Sequence, residues 1–303
     1  MDYFLITIKY IRVKQKVILI TGASAGIGMA SAQKLIDSGH IVYAAARRVE
    51  KMEVLNKRGA FILSMDVTHE ASMREGVQRI IAEQGRIDVL INNAGYGSLG
   101  AIEEVDLDEA RRQFEVNLFA VARLSQLVLP HMRKVQKGRI INISSIGARV
   151  YEPMCGWYHS TKFALEGMSD CMRLELKQFG IDLVLVRPGF IRTEWDKIAH
   201  EKLQEFSMSG PYKETANKMV NAHLNYLFKY LASDAPIVAD TIVRAVESRR
   251  PHARYVSGRA SGSFILARKL LPDSLLDAIL MKMLSIFGKE NKTTSCQTVK
   301  ISA

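Results

Sequence analysis

The fold of this chain is decided by one stretch, VILITGASAGIG at residues 17–28. Its apolar start predicts a buried strand, and Gly22, Gly26 and Gly28 lead into a helical pattern. Such glycines let a dinucleotide pyrophosphate approach the backbone, while the helix N-terminus offers unpaired N–H groups. The spacing Gly-x-x-x-Gly-x-Gly differs from the common Gly-x-Gly-x-x-Gly fingerprint. We therefore predict a nucleotide site here, with Ser24 and Ile27 among its contacts.

Outward from this turn, short β-branched runs alternate with helical patterns. Gly39 is placed to cap the first helix. This alternation predicts βαβ units, and therefore an α/β fold with one doubly wound parallel sheet of about seven to eight strands in residues 16–258. The predicted strands are Val17–Ile20, Ile41–Ala45, Phe61–Met65, Val89–Ile91, Arg139–Ser144, Leu183–Arg187 and Arg254–Ser257.

Three further segments surround or interrupt this domain. Residues 1–15 form an N-terminal extension that fits an added strand, a frayed tail or an early start codon equally well. Residues 193–236 are polar and helix-prone, as expected of a segment that covers a site at the sheet edge. In the C-terminal tail, residues 259–303, the runs Phe264–Leu271 and Leu275–Phe287 predict helices packed on the domain or on a second subunit. Attachment to a membrane surface is the less favoured alternative.

Composition excludes several classes of protein. The 303 residues are 48% hydrophobic and carry a net charge of +11. Because the basic residues are scattered, we expect an anionic cofactor or substrate and no nucleic acid. The three cysteines form no C-x-x-C pair and no histidine lies in a metal-ligand spacing, so we predict no metal and a reducing, cytoplasmic location. No apolar run is long enough to predict a transmembrane helix.

The second strand predicts which nicotinamide cofactor is bound. An acidic residue at its end would bind the ribose 2′-hydroxyl and repel a 2′-phosphate, but Ala46 stands there instead. Arg47 and Arg48 follow, and a guanidinium can pair with a phosphate. We therefore favour NADP(H) over NAD(H); the alternative is a pair of arginines exposed at a helix start.

Polar residues follow the third and fourth predicted strands. Asp66, with Val67 beside it, is placed to hydrogen-bond an adenine amino group or to cap the helix that begins near Glu70. After the fourth strand, the chain is small and rich in amides, as a backbone lying against a cofactor requires. These residues are Asn92, Asn93, Ala94 and Gly95.

The candidate catalytic residues begin with Tyr158 and Lys162. Their i, i+4 spacing puts a phenol and an ammonium on one face of a helix, which is common on any amphipathic helix. The pair gains meaning from Ser145, at the end of the fifth strand, and from Asn117 on an earlier helix.

Taken together, these residues resemble the short-chain dehydrogenase/reductase family over residues 16–258. A narrower set resembles its 17β-hydroxysteroid dehydrogenase-like subgroup. The family motifs are Thr21–Gly28, Asp66–Val67, Asn92–Gly95, Asn117, Ser145, Tyr158-x-x-x-Lys162 and Arg187–Thr193; those of the subgroup are Tyr43–Lys51, Asn93–Ser98, Arg111–Phe119 and Thr193–Trp195.

The resemblance implies a Rossmann-type fold and hydride transfer between NADP(H) and a carbonyl or alcohol. Tyr158 would be the acid or base and Ser145 would hold the substrate oxygen. Lys162 would bind the nicotinamide ribose and lower the Tyr158 pKa, and Asn117 would support a proton relay. The remaining cofactor contacts that it implies are Pro188, Gly189, Ile191 and Thr193.

The substrate is expected to be apolar. Its predicted contacts are Tyr96–Leu99, Gly147–Trp157 and the segment after Thr193, with Met154, Trp157 and Trp195 as walls. His159 is predicted to point away from the catalytic face. A homo-oligomer is implied through the helices Asp108–Leu129 and Trp157–Gln178. The alternative function is a non-catalytic protein that senses or binds NADP(H) on the same fold.

Overall fold

The computed structural model describes residues 14–289, and the N-terminal extension up to residue 13 and the end of the tail lie outside them. Seven parallel strands form the main sheet in the order β3-β2-β1-β4-β5-β6-β9. This confirms the predicted α/β fold. The strands are β1 (Val17–Thr21), β2 (Ile41–Ala46), β3 (Phe61–Ser64), β4 (Val89–Asn92), β5 (Gly138–Ile143), β6 (Ile181–Pro188) and β9 (Arg254–Ser257).

Helices cover both faces of the sheet, and each face has its own apolar core. On one face α1 (Gly26–Asp37) and α9 (Ala235–Glu247) pack on the strands through Leu35 and Ile242. On the other face lie α3 (Glu70–Gln84), α5 (Ala120–Lys134) and α6 (Gly156–Leu176), which contribute Val77, Val128 and Leu176. Residues buried on both sides explain why the strands read as continuous apolar runs.

The strand order reverses at β1, which has β2 on one side and β4 on the other. In doubly wound sheets, ligands bind in the crevice at the carboxyl ends of the strands at such a reversal. The glycine-rich turn follows β1, so this crevice is where it lies. The fold therefore places the predicted nucleotide site at the centre of the sheet edge.

Two helical segments contain a π turn. The helix α4 (Leu107–Phe114) continues into α5 through π-helical residues Glu115–Phe119, and α8 (Lys213–Ala222) continues through π-helical residues His223–Leu231. The short helix α2 (Glu53–Asn56) precedes β3. Single π turns within α-helices often mark functional sites.

The segment after β6 forms a small unit above the sheet edge. It contains α7 (Glu194–Ser207) and α8, and its short strands β7 (Ile191–Arg192) and β8 (Ser233–Asp234) pair in parallel. A third apolar cluster joins this unit to the end of the chain through Leu203, Met219 and Leu284. This cluster holds the segment over the crevice.

The tail forms two helices, α10 (Ser261–Leu270) and α11 (Asp273–Phe287), which confirms the predicted helical extension. Leu276 and Leu284 are buried on the inner side of α11, whereas Leu275, Ile279 and Ile286 are exposed. The Tyr151 hydroxyl donates to Asp277 Oδ1 at 2.8 Å and so attaches α11 to the loop before α6. None of the helices within residues 14–289 is long and apolar enough to cross a membrane.

Candidate active site

The turn after β1 is closed by contacts that only glycine permits. Gly22 has a φ of +67°, and a Cβ added at Gly28 would lie 2.2 Å from the Gly22 carbonyl oxygen. The Thr21 hydroxyl accepts hydrogen bonds from the backbone N–H groups of Asn93 and Ala94, both at 3.1 Å. The ends of β1 and β4 are therefore joined directly at the crevice.

The N-terminus of α1 is free to receive an anion. Ala25 occupies the N-cap position, no side chain caps the helix, and its first turn holds no acidic residue. The unpaired N–H groups and the helix dipole favour a negatively charged group there. The turn therefore suits a pyrophosphate.

Two arginines stand at the end of β2, in different settings. The Arg47 side chain is 77% exposed and lies 4.0 Å from the Asp66 carboxylate. Arg48 donates to the Ser24 hydroxyl at 3.2 Å and forms a 2.9 Å ion pair with Glu194. Of the two, Arg47 thus has the more exposed guanidinium and the longer ion-pair distance.

Asp66 does not cap the following helix, so that alternative was wrong. The N-cap residue of α3 is His69, and Asp66 instead accepts hydrogen bonds from the backbone and hydroxyl of Thr68 at 2.9 and 2.8 Å. Burial would raise the Asp66 pKa, but these hydrogen bonds and Arg47 hold it below its ordinary value. Asp66 is therefore an anionic acceptor at the crevice.

Asn92 and Asn93 point to opposite sides of β4. Asn93 Nδ2 donates to the Thr21 carbonyl at 2.9 Å beside the crevice. Asn92 is buried and donates to Asn142 Oδ1 at 2.8 Å inside the sheet. The sequence prediction that Asn92 contacts the cofactor does not agree with this geometry, because successive side chains of a strand alternate between faces.

Ser145, Tyr158 and Lys162 meet at the crevice. Ser145 lies just beyond β5, where its hydroxyl accepts from the Gly147 N–H at 3.0 Å. The Lys162 ammonium lies 5.9 Å from the centre of the Tyr158 ring and donates to the Ile143 carbonyl at 3.0 Å. A hydroxyl, a phenol and an ammonium therefore face one space.

Burial is the main influence on the pKa values of Tyr158 and Lys162. It raises the Tyr158 pKa to about 12, although the Ser145 hydroxyl opposes the shift. It also lowers the Lys162 pKa to about 8. The Ser145 hydroxyl is the group that lowers the Tyr158 pKa here, and the expected lowering by Lys162 stays a prediction.

Asn117 lies behind these residues and does not reach the cavity surface. It sits in the π turn between α4 and α5, where Nδ2 donates to the Tyr96 carbonyl at 2.9 Å and to the Thr161 hydroxyl at 3.1 Å. Its Oδ1 accepts from the Tyr96 N–H at 3.1 Å. Asn117 therefore holds the chain after β4 against α6.

A buried ion pair joins α6 to β6. Glu166, one turn after Lys162, accepts from Arg187 Nε at 2.5 Å and from the Ser144 hydroxyl at 3.0 Å. Burial would raise the Glu166 pKa, but Arg187 and Ser144 hold it below its ordinary value. The pair orients α6 relative to the strand ends.

A single cavity of about 1030 Å³ joins the N-terminus of α1, Arg47, Asp66, Ser145, Tyr158 and Lys162. It runs from the α1 N-terminus past Tyr158 to the inner side of the tail helices, where Phe264, Ala267, Leu276 and Leu280 line it. The predicted site residues on its wall are Gly22, Ser24, Gly26, Ile27, Gly28, Arg47, Arg48, Asp66, Val67, Asn93, Ala94, Gly95, Ser145, Tyr158, Lys162, Pro188, Gly189, Ile191 and Thr193.

Comparison with known proteins decides the family. A family model described as short chain dehydrogenase matches residues 16–204. The chain belongs to the short-chain dehydrogenase family. A crystal structure of a short-chain dehydrogenase from Streptomyces avermitilis matches with a TM-score of 0.75 and 31% identity, covering 90% of this chain and 97% of that one. This dehydrogenase is therefore an oxidoreductase that acts on CH–OH groups with a nicotinamide cofactor.

Two curated relatives carry informative names. A 3-ketodihydrosphingosine reductase of Bacteroides thetaiotaomicron is 46% identical over 178 residues, 59% of this chain and 65% of that protein. The dehydrogenase thus matches less than two thirds of that relative's length. An NADPH-dependent 3-dehydrocapnine reductase of Ornithobacterium rhinotracheale is 32% identical over 90% of this chain and 99% of that protein.

The substrate half of the cavity differs in part from the sequence prediction. Trp195 lines it, with its ring 5.1 Å from that of Tyr158. Met154 is instead buried in the third apolar cluster, and Trp157 turns away so that Nε1 donates to the Ile102 carbonyl at 3.4 Å. The prediction of Met154 and Trp157 as walls was therefore wrong, because the loop before α6 folds under the cavity.

The dehydrogenase also brings together a buried group that spacing did not reveal. Glu152, Cys155 and His159 have ligand-type atoms within 4.8 Å of one another. The His159 ring lines the cavity and was wrongly predicted to point away from the catalytic face; its Nδ1 lies 2.8 Å from the Gly147 carbonyl oxygen. His223, from the π turn after α8, adds a fourth group 3.6 Å from Glu152. Glu152, Cys155 and His159 lie within residues 152–159, but no sequence signal links them to His223.

Proposed function

We propose that this dehydrogenase uses NADPH to reduce a ketone carried by a long apolar chain. One observation carries the proposal: the cavity that contains Ser145, Tyr158 and Lys162 continues between apolar side chains of α10 and α11. A substrate whose carbonyl lies at Tyr158 would leave its chain along Phe264, Leu276 and Leu280. Burial of such a chain is favourable by roughly 0.8 kcal/mol per methylene.

The donor set fits the cofactor. The uncapped α1 N-terminus would receive the pyrophosphate, Arg47 the 2′-phosphate, and Asp66 the adenine amino group. When bound, the cofactor supplies the hydride and, in its oxidised form, a positive charge beside the phenol. The preference for NADP(H) over NAD(H) is part of this proposal and rests on Ala46 and Arg47.

The protein residues would handle the substrate oxygen and its proton. Ser145 donates a hydrogen bond to the carbonyl oxygen, which holds it near the Tyr158 hydroxyl. Tyr158 then protonates the developing alkoxide, since general acids within hydrogen-bond reach speed such steps. Lys162 would bind the nicotinamide ribose. Asn117 would act by position, because it fixes Tyr96 against Thr161 next to the lysine.

One of the similar proteins is named a 3-ketodihydrosphingosine reductase and another an NADPH-dependent 3-dehydrocapnine reductase, and both names support a ketone reduction of this kind. The narrower resemblance to 17β-hydroxysteroid dehydrogenases stays a prediction, as do the homo-oligomer and the cytoplasmic location. A purely cofactor-sensing role is the alternative, and the assembled Ser145, Tyr158 and Lys162 argue against it.

The test is a reduction assay with four ketones: 3-ketodihydrosphingosine, a long-chain alkanone, a steroid ketone and a short ketone. Each is assayed with NADPH and with NADH. We expect NADPH to be oxidised fastest with the long-chain ketones. Turnover of the short ketone alone would contradict the substrate class, and preference for NADH would contradict the cofactor assignment.

A further inference from the structure

Glu152 holds a carboxylate in the cavity wall close to the catalytic tyrosine. It lies on the loop before α6, and its carboxylate is within 4.8 Å of a ring nitrogen of His159. The rings of His159 and Tyr158 are 5.9 Å apart. Glu152 and Tyr158 therefore line the same cavity, and His159 lies close to both.

This carboxylate is not paired with a lysine or an arginine among the residues that the structure describes. Within residues 14–289, no lysine or arginine nitrogen is at salt-bridge distance from Glu152, and the basic group at that distance is the His223 ring at 3.6 Å. Two other carboxylates of the same cavity have arginine partners: Glu109 lies 3.7 Å from Arg112, and Glu194 lies 2.9 Å from Arg48. Glu152 differs from these two in facing the substrate space without a lysine or arginine partner.

Glu152 is nonetheless an anion near neutral pH. Burial would raise the pKa of its carboxyl group, but the imidazoles of His223 and His159 outweigh burial and hold the pKa below its ordinary value. The thiol of Cys155 donates to Oε1 at 3.5 Å. Glu152 is therefore available as an anion on the cavity wall.

The same charge also acts on Tyr158. Burial is the main cause of the raised Tyr158 pKa, and the negative charge of Glu152 adds to it. Because an ionised tyrosine is needed in one direction of the reaction, an unneutralised carboxylate nearby opposes catalysis. A cation bound at Glu152 would remove that effect.

We propose that Glu152 binds a protonated amino group of the substrate, next to the carbonyl that is reduced. The inference rests on the proposed function and narrows it to long-chain 2-amino ketones. Three parts of one substrate then have their own places: the ammonium at Glu152, the carbonyl at Ser145 and Tyr158, and the alkyl chain along α10 and α11.

A metal ion is the competing occupant, because Glu152, Cys155 and His159 converge. Burial raises the Cys155 pKa well above its ordinary value, so the sulfur is a thiol that donates to Glu152. Cys155 is also buried away from the cavity wall, whereas Glu152 lines it. The amine is therefore favoured, and the metal becomes an outcome of the test.

The experiment compares two ketones on three proteins. The ketones are 3-ketodihydrosphingosine and the same molecule with hydrogen in place of the amino group; the proteins are wild type, Glu152→Gln and the control Glu109→Gln. We expect wild type to prefer the amino ketone by about tenfold or more in kcat/KM, and Glu152→Gln to lose that preference, mainly through KM. Glu109→Gln should change both ketones alike, since its carboxylate already has basic partners.

Because the readout is a ratio within each protein, partial misfolding does not alter it. An unchanged preference in Glu152→Gln would overturn the inference. Zinc binding would also overturn it. In that case wild type would retain stoichiometric Zn²⁺ after dialysis against Zn²⁺, whereas Glu152→Gln and Cys155→Ser would not. If wild type reduces both ketones equally well, the inference fails while the proposed function stands; if it reduces neither, both fail.

Discussion

The Lys162 ammonium lies 5.9 Å from the centre of the Tyr158 ring, and no carboxylate within residues 14–289 forms an ion pair with it. Its hydrogen bond goes to the Ile143 carbonyl at 3.0 Å. A buried ammonium with one neutral acceptor destabilises the free protein. A residue that the proposed mechanism requires thus acts against the stability of the fold.

We predict that Lys162→Met is more stable to urea than wild type without cofactor. Burial lowers the Lys162 pKa from 10.5 to about 8, a penalty of about 3 kcal/mol near neutral pH. Loss of the hydrogen bond to Ile143 offsets part of it, so we expect a gain of about 1–3 kcal/mol in unfolding free energy. A less stable variant would contradict this, and the exposed control Lys177→Met should stay close to wild type.

The same shift predicts a pH dependence of stability. Below pH 8 the folded and unfolded chains both carry the Lys162 proton, and the full penalty applies. Between pH 8 and 10.5 the folded chain loses the proton first, so wild-type stability rises relative to that of Lys162→Met. The difference between the two urea midpoints should narrow over that range, and a constant difference would argue against the assigned pKa.

Replacing Tyr158 with Phe should abolish most turnover and keep cofactor binding. Removal of a general acid typically lowers the rate by about 10²–10⁴-fold. NADPH affinity, measured by fluorescence, should change little because the aromatic ring remains. Tyr255→Phe, on β9, is the matched control and should keep its turnover. Undiminished turnover in Tyr158→Phe would remove this residue from the mechanism.

Arg47→Ala should weaken the use of NADPH selectively. An exposed guanidinium that binds a phosphate contributes modestly, so we expect kcat/KM with NADPH to fall about tenfold and that with NADH to stay within about twofold. Arg48→Ala should have a smaller effect, because Arg48 is already paired with Glu194 at 2.9 Å. Equal losses with both cofactors would show that Arg47 does not read the 2′-phosphate. Arg58→Ala, outside the cavity, serves as the control.

Gly28→Ala and Gly167→Ala should change the unfolding free energy in opposite directions. A methyl group at Gly28 meets the Gly22 carbonyl oxygen at 2.2 Å, whereas nothing lies within 4 Å of one at Gly167. We expect Gly28→Ala to lower the unfolding free energy by about 1–3 kcal/mol and to weaken NADPH binding. Gly167 lies at an exposed position of α6, so Gly167→Ala should raise the unfolding free energy by up to about 1 kcal/mol. Thermal unfolding measures both, and a neutral Gly28→Ala would show that the turn can relax.

Predictions from local sequence patterns were confirmed where neighbouring residues alone determine the structure. Gly39 has the positive φ of +80° expected after α1, and the run from Val17 forms the central strand. Asn92 failed for a different reason. An amide-rich strand end shows which residues are polar, but the pairing of Asn92 with Asn142 on β5 decides which amide faces the core.

His159 and Glu152 show the same limit more strongly. On a helix, the residue after Tyr158 is rotated by about 100° about the helix axis, so its side chain is expected to point away from the catalytic face. In the fold, the Gly147–Cys155 loop passes against the first turn of α6, so the His159 ring also lines the cavity. The partner of Glu152, His223, comes from 71 residues further along the chain.

The sequence by itself determined the parallel sheet, the glycine turn at its reversal and the Ser145, Tyr158 and Lys162 constellation. These follow from strand periodicity, backbone sterics and helical spacing, which act over a few residues. Long-range packing, in contrast, places the apolar side chains of the tail helices along the cavity and leaves Glu152 with an imidazole partner but no lysine or arginine among residues 14–289. Burial and charge pairing there depend on segments that meet only after the chain has folded.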